Sequence, residues 1–379
     1  MKIVALGPFY PYKGGIEQFT TLMSRALSKG HEIVNVSYSV QYPKILFPRN
    51  EQKDYTDTAF KVDNTVYWLN TINPITYFSS ARKIKKLDPD IIIFQWFHPY
   101  FAPAYWTLCK LLSKNIKKLF IVHNVLPHEK FPLQRVLAKS VFKNADAFIT
   151  LSGSEEQNLK SVICDAYIVR AELPPLFSER ESITKQAARG MLGISESDFV
   201  MLFFGYIREY KGLKVLLEAY PKIITEIPNT VLIIAGEYNK EDKDDYLALI
   251  SSATIAGGRI INVGDYIPDT EVGKYFTACD VVVAPYLSAT QSGVISIAYA
   301  YCKPVIATNV GGLPEVVIDG ETGFLVPAHE SEALSGAVLK FAYEHKKLKF
   351  TEHIRNIVNE YSWGHFVETV EEIWRTIQL

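Results

Sequence analysis

"FVMLFFGYIREYKGLKVLLEAY" (199–220) begins as an apolar run of strand length, passes through Gly205 into a loop carrying Arg208 and Lys211, and continues at helical spacing from Leu213. Strand, short loop and amphipathic helix form the repeating unit of a parallel sheet with helices on both faces. The unit recurs on both sides of this stretch. Strand candidates in the first half are 2–7, 31–38, 65–70, 90–96, 118–123 and 147–152. A run at 166–170 lies near a boundary, and 199–205, 230–236, 259–264, 281–285 and 304–309 follow. Between the halves, "AELPPLFSERESITKQAARGMLGISESD" (171–198) holds a Pro pair and a polar run that mark a linker, with the boundary near 172–178. The expected fold class is therefore α/β, with doubly wound domains at 1–172 and 178–360. A terminal helix over 362–377 places Trp363, Phe366, Val370, Ile373 and Trp374 on one face.

A chain of 379 residues exceeds what one hydrophobic core usually organises. Hydrophobic residues at 48% and charged residues at 21% fit a globular protein and exclude a fibrous or disordered one. The longest apolar runs, such as 90–97, fall far short of the roughly 20 residues of a membrane span. The N-terminus turns at Gly7-Pro8 before a signal-peptide apolar region develops, so the expected compartment is the cytoplasm. Cys109, Cys164, Cys279 and Cys302 are scattered without zinc-like spacing, and read as small buried hydrophobes in a reducing compartment.

The near-zero net charge conceals an asymmetry. Residues 1–170 contain 22 Lys+Arg against 13 Asp+Glu, and the remainder 18 against 28. Much of the basic excess lies in "SARKIKKLDPD" (80–90) and "CKLLSKNIKK" (109–118), which suit either a solvated helix face or contact with an anionic membrane. No recognition motif organises this charge for nucleic acid.

Ligands of doubly wound domains sit at the carboxyl ends of the strands. After the first strand, Gly14 and Gly15 precede a helix whose first turn carries Glu17. The pair reads either as a tight turn or as a loop letting backbone N–H groups approach a phosphate. Arg208 and Lys211 could neutralise a diphosphate that also faces a helix N-terminus. In "SATQSGVISIAYAYCKPVIATNVGGLPEVV" (288–317), Thr290, Gln291, Ser292 and Gly293 lead into a short helix, and Gly311-Gly312 form a second turn before Glu315. Such a unit could clasp a pyrophosphate, a ribose or a sugar. Trp96 and His98, within "QWFHPYFAPAY" (95–105), are candidates for an acceptor sugar, with core packing the equal alternative for the aromatics. No metal site is expected: the five-residue spacing of His123 and His128 spans Pro127 in a loop, no partner beyond these and Glu129 is visible, and Asp242-Lys243-Asp244-Asp245 opens a polar helix, where acids favour the dipole.

Taken jointly, "GPFYPYKGGIEQF" (7–19), "FGYIREYKGL" (204–213), "VGDYIPDTEVGKYFTACDVVVAPY" (263–286), "KPVIATNVGGLPEVVIDGETGFLVP" (303–327) and "YSWGHF" (361–366) make the chain resemble the GT-B glycosyltransferases of family 4, retaining enzymes that use nucleotide sugars. The resemblance implies two facing Rossmann-like domains with a cleft between them. The donor, a UDP- or GDP-sugar, would be held mainly by the C-terminal domain and a saccharide or lipid-linked acceptor by the N-terminal one. The last helix would cross back, and neither cofactor nor metal is implied. Arg208 and Lys211 match the family's basic pair on the diphosphate, although its Arg often follows the glycine directly, where this chain has Tyr206. Gly14 and Gly15 match the phosphate-facing loop, and His123 the histidine beside the transferred sugar. Tyr266 and Ile267 fall where the base is read by main chain. The departure is the family's E-x7-E pair, which falls on Ala289 and Ile297, or one residue on, Thr290 and Ala298. Thr290, Gln291 and Ser292 would have to substitute. Because neither register holds a carboxylate, a non-catalytic sugar-nucleotide-binding protein stands as an alternative, and a sugar-nucleotide epimerase of the same layout is the enzymatic rival.

Overall fold

The computed structural model describes residues 1–43, 53–55, 58, 60–127, 131–174, 176, 183–239, 242–345 and 348–378. His128 and Glu129, and part of the expected linker, lie outside the described residues. The chain divides into one unit of Met1–Pro174 with Tyr361–Leu379 and a second of Pro175–Glu360.

The first unit alternates strand and helix: β1 (Lys2–Leu6), α1 (Gly15–Leu27), β2 (Glu32–Val40), β3 (Thr65–Asn70), α2 (Ile75–Leu87), β4 (Ile91–Trp96), α3 (Ala102–Leu111), β5 (Lys117–Val122), α4 (Gln134–Phe142), β6 (Ala147–Thr150), α5 (Gly153–Val162) and β7 (Ile168–Arg170). The seven strands form a parallel sheet in the order β3-β2-β1-β4-β5-β6-β7. Its centre reads as a continuous apolar run because helices cover both faces; every residue of β4 is buried. Right-handed crossovers put α1 on the face opposite α2, α3 and α4, since the chain moves outward from β1 to β2 and back from β3 to β4.

The second unit runs α6 (Lys185–Met191), β8 (Phe199–Phe204), α7 (Leu213–Glu226), β9 (Thr230–Ala235), α8 (Lys243–Ile255), β10 (Arg259–Val263), α9 (Asp269–Ala278), β11 (Val281–Ala284), α10 (Gly293–Ala300), β12 (Val305–Thr308), α11 (Leu313–Val316), β13 (Gly323–Val326), α12 (Ser331–Glu344) and α13 (Phe350–Glu360). Its six strands are parallel in the order β10-β9-β8-β11-β12-β13. The edge strand β13 has no counterpart among the expected strands, because four residues starting at a glycine carry little periodicity. Gly323 is required there: a Cβ would stand 1.7 Å from the Val305 carbonyl oxygen.

The terminal helix α14 (Trp363–Gln378) belongs to the first unit and packs on α1. Phe366, Val370 and Ile373 are buried, and Trp363 and Phe366 meet the Phe19 ring at centroid distances of 5.2 and 5.5 Å. His31 Nε2 lies 3.0 Å from a Glu371 carboxylate oxygen. Cys109, Cys279 and Cys302 are buried as expected, whereas Cys164 is exposed. Among the described residues no helix is long and apolar enough to cross a membrane.

Candidate functional site

Both sheets reverse direction next to their first strand, between β1 and β4 and between β8 and β11, so the loops leaving those strands diverge and open a crevice at the carboxyl edge. The candidate residues fall largely on these loops.

In the second unit, the loop after β8 carries Arg208 and a short 3-10 turn, Glu209–Lys211, that feeds α7. Lys211 is buried, with Nζ 5.5 Å from the centroid of the Tyr286 ring. A Cβ on Gly205, whose φ is +97°, would come within 2.7 Å of the same Nζ. Tyr286 in turn shares a 3.2 Å hydroxyl–hydroxyl hydrogen bond with Ser292, and burial pushes its phenol up to about 12. Ser292 Oγ accepts the Ile295 N–H at 3.3 Å and so caps α10. Tyr286 therefore joins the basic loop to the Thr290–Gly293 turn. It was missed from sequence because an aromatic just after a strand has no positional signature.

The glycine turns fix the loops against one another. A Cβ on Gly212 would lie 1.9 Å from the Pro285 carbonyl oxygen, and one on Gly311 1.5 Å from that of Ala289. Residue 289 is thus placed by its backbone against the second glycine turn, whereas Ile297 and Ala298 are buried within α10. Buried Gln291 Oε1 finds no hydrogen-bond donor among the described residues. Arg208 lies over the Tyr206 ring at 5.0 Å, Glu315 is half-buried on α11, and Tyr266 and Ile267 follow β10.

In the first unit, Gly14 (φ +118°) precedes Gly15, the first residue of α1, and a side chain at Gly14 would meet nothing within 4 Å. The loop after β5 begins with buried His123, whose Nε2 is 2.7 Å from Gln95 Oε1 and whose ring meets Phe19 edge-on at 5.0 Å. Burial lowers its pKa from 6.5 to about 3, so the imidazole is neutral at physiological pH. Val125 donates its N–H to buried Glu155, whose carboxyl is raised by desolvation. Partly exposed His98 caps the following turn by accepting the Tyr100 N–H at 3.1 Å, and packs on Phe131.

Trp96 is a correction. It is fully buried, packs on Phe142 at 4.8 Å and donates Nε1–H to the Val125 carbonyl at 3.2 Å, so its ring is a core residue without a face for an acceptor sugar. It ends an all-buried central strand, where the indole N–H needs only an internal carbonyl. Among the described residues no group of three or more His, Cys, Asp or Glu could hold a metal ion.

Residues 13–168 match the family model Glycosyltransferase Family 4, and residues 198–343 the model Glycosyl transferases group 1. The chain is 34% identical over 198 residues to a D-inositol 3-phosphate glycosyltransferase of Rhodococcus jostii (strain RHA1), a match covering 50% of this chain and 43% of that relative. It spans less than two thirds of the length of this relative and the two similar ones from Rhodococcus opacus and Corynebacterium diphtheriae. A putative glycosyltransferase of Bacillus subtilis (strain 168), YtcC, is 23% identical over 356 residues, covering 90% of this chain and 83% of that protein. Among solved structures, Anabaena HepE in complex with UDP-glucose shares the fold with a TM-score of 0.76 at 18% identity, over 99% of this chain and 100% of that one. With one family model matching each half and the two-sheet architecture shared end to end, the chain belongs to the GT-B glycosyltransferases of family 4, the glycosyl transferases group 1.

Proposed function

We propose that the protein transfers a glycosyl group from a nucleotide-diphosphate sugar to a saccharide or lipid-linked acceptor with retention of configuration, in assembly of cell-surface polysaccharide or glycolipid. The carrying observation is the buried Lys211 ammonium, held over Tyr286 and joined through that ring to the Ser292 cap of α10. A buried cation beside a helix N-terminus is preorganised for the charge that develops on a departing diphosphate. As the bond from the anomeric carbon to the diphosphate breaks, the acceptor oxygen bonds that carbon from the same face and its proton passes to a phosphate oxygen. Gln291 Oε1, buried with no donor among the described residues, supports sugar or ribose recognition, because a ligand hydroxyl would relieve an unsatisfied acceptor costing about 1–3 kcal/mol. Neutral His123 supplies a hydrogen-bonding group to the transferred sugar.

Calorimetric titration with UDP, GDP and ADP, then with the matching sugar nucleotides, tests the donor site. Micromolar binding of one base and turnover with an acceptor are expected. Binding without transfer to any acceptor would favour the non-catalytic reading that Ala289 and Ile297 motivate, and donor conversion without an acceptor would favour an epimerase.

The acceptor side of this reading includes contact with an anionic membrane. The neighbouring helices α2, α3 and α4 carry Arg82, Lys83, Lys85, Lys86, Lys110, Arg135 and Lys139 and not one acidic residue. Exposed Ile75, Phe78, Trp106 and Val136 interleave with them. Basic side chains around apolar ones suit an anionic interface, each cation contributing about 1 kcal/mol. Co-sedimentation with phosphatidylglycerol vesicles, lost in high salt and absent with phosphatidylcholine alone, is the expected result.

A further inference from the structure

Gln95 is a polar residue in the otherwise apolar strand Ile91–Trp96, and it is completely buried. Its surroundings are built to hold it. Gly7, the residue that follows β1, leaves the room it fills: a Cβ there would stand 2.6 Å from Gln95 Cγ. Its carbonyl accepts the Tyr105 hydroxyl at 3.0 Å, and the His123 N–H bonds the adjacent Trp96 carbonyl at 2.9 Å, so both main chains are pinned. Its amide nitrogen is 3.6 Å from Met23 Sδ, and its Oε1 is 2.7 Å from His123 Nε2. A thioether only accepts, so the amide must turn its N–H toward Met23 and its oxygen toward the imidazole. An amide oxygen also only accepts. The proton of the neutral ring therefore sits on Nε2.

We propose that Gln95 is the positioning residue for His123, holding the imidazole as the Nε2–H tautomer so that Nδ1 carries the lone pair that accepts a hydrogen bond from a sugar hydroxyl. This rests on the glycosyl-transfer reading for the sugar, but not for the tautomer. The Phe19 ring packs edge-on against the imidazole, backed by Trp363 and Phe366 of α14. The arrangement fixes ring orientation as an outer partner does for a metal-bound histidine, where its loss typically costs about 10- to 100-fold.

The test combines a spectroscopic and a kinetic readout on the full chain. In 15N-histidine-labelled protein, the His123 ring is expected to show a protonated Nε2 and a bare Nδ1; a protonated Nδ1 would overturn the proposal whether or not the protein transfers sugar. Gln95→Leu is expected to lower kcat about 10- to 100-fold with nucleotide-diphosphate affinity unchanged. A folded Gln95→Leu protein with wild-type kcat would overturn it as well. Gln95→Glu keeps the acceptor, but its carboxylate favours the imidazolium, which has no lone pair on Nδ1. Its kcat is expected to be low at acid pH and to recover on the alkaline side, and a pH profile identical to wild type would count against the proposal. If the leucine variant does not fold, the tautomer and the glutamate profile still decide. Absence of transfer in the wild type would sink the glycosyl-transfer reading and leave the tautomer measurement to judge Gln95.

Discussion

The ammonium of Lys211 lies 5.5 Å from the centre of the Tyr286 ring, against a glycine whose Cβ would stand 2.7 Å from the same nitrogen. The ring shields the cation and holds Ser292 in its capping position. Lys211→Ala is expected to weaken nucleotide-diphosphate binding by about 1.5–3 kcal/mol, the range for hydrogen bonds to charged groups. Tyr286→Phe keeps the ring and is expected to cost less. Calorimetry on both variants checks the order, and equal affinity for wild type and Lys211→Ala would remove the lysine from the diphosphate site.

Gly311→Ala tests the backbone packing of the Gly311 turn against the segment that holds Ala289. A methyl group there meets the Ala289 carbonyl at 1.5 Å, at a φ of +53° that side chains rarely adopt. Either the turn or the 288–292 segment must move. A loss of about 3 kcal/mol or more is expected from urea unfolding, whereas Gly336→Ala, at a helical site open within 4 Å, should be neutral or stabilising.

His123 makes stability pH-dependent with a definite sign. Its folded pKa of about 3 lies below the ordinary 6.5, so between these values the unfolded chain binds the proton that the folded protein excludes. Stability is therefore fully present above pH 6.5 and falls by up to about 1.4 kcal/mol per pH unit as pH drops toward 3. Glu155, raised by burial, acts in the opposite sense in acid. The comparison is thus between wild type and His123→Gln, whose unfolding free energy should have the shallower slope from pH 6.5 to 4.5. Parallel slopes would mean that water reaches the ring.

Trp96→Phe should separate core from site. It removes a buried N–H donor and leaves volume unfilled beside Phe142, so a loss of about 1–3 kcal/mol in stability is expected with acceptor KM unchanged. A raised acceptor KM at unchanged melting temperature would return the tryptophan to the acceptor site.

The amino-acid sequence alone carries the architecture. Ile91-Ile92-Ile93-Phe94 can be read as a central strand because covering both faces demands an unbroken apolar run, and Trp363, Phe366, Val370 and Ile373 as a helix face because their spacing follows the helical turn. Arg208, Lys211 and the Gly311-Gly312 turn stand out for the same reason: each sits immediately after a strand, where the fold puts its loops. Sequence did not reveal which atoms meet. Tyr286 between Lys211 and Ser292, Gln95 beside His123, and Phe19 between His123 and α14 join residues tens to hundreds of positions apart. Nor does sequence decide whether Trp96 serves an acceptor sugar or the core, since periodicity says that a residue is apolar and not which way its strand is covered. Local spacing depends on the geometry of one helix or strand and is written in neighbouring residues. Burial, tautomer and loop-to-loop contact depend on which strands lie side by side, and only the folded sheet decides that.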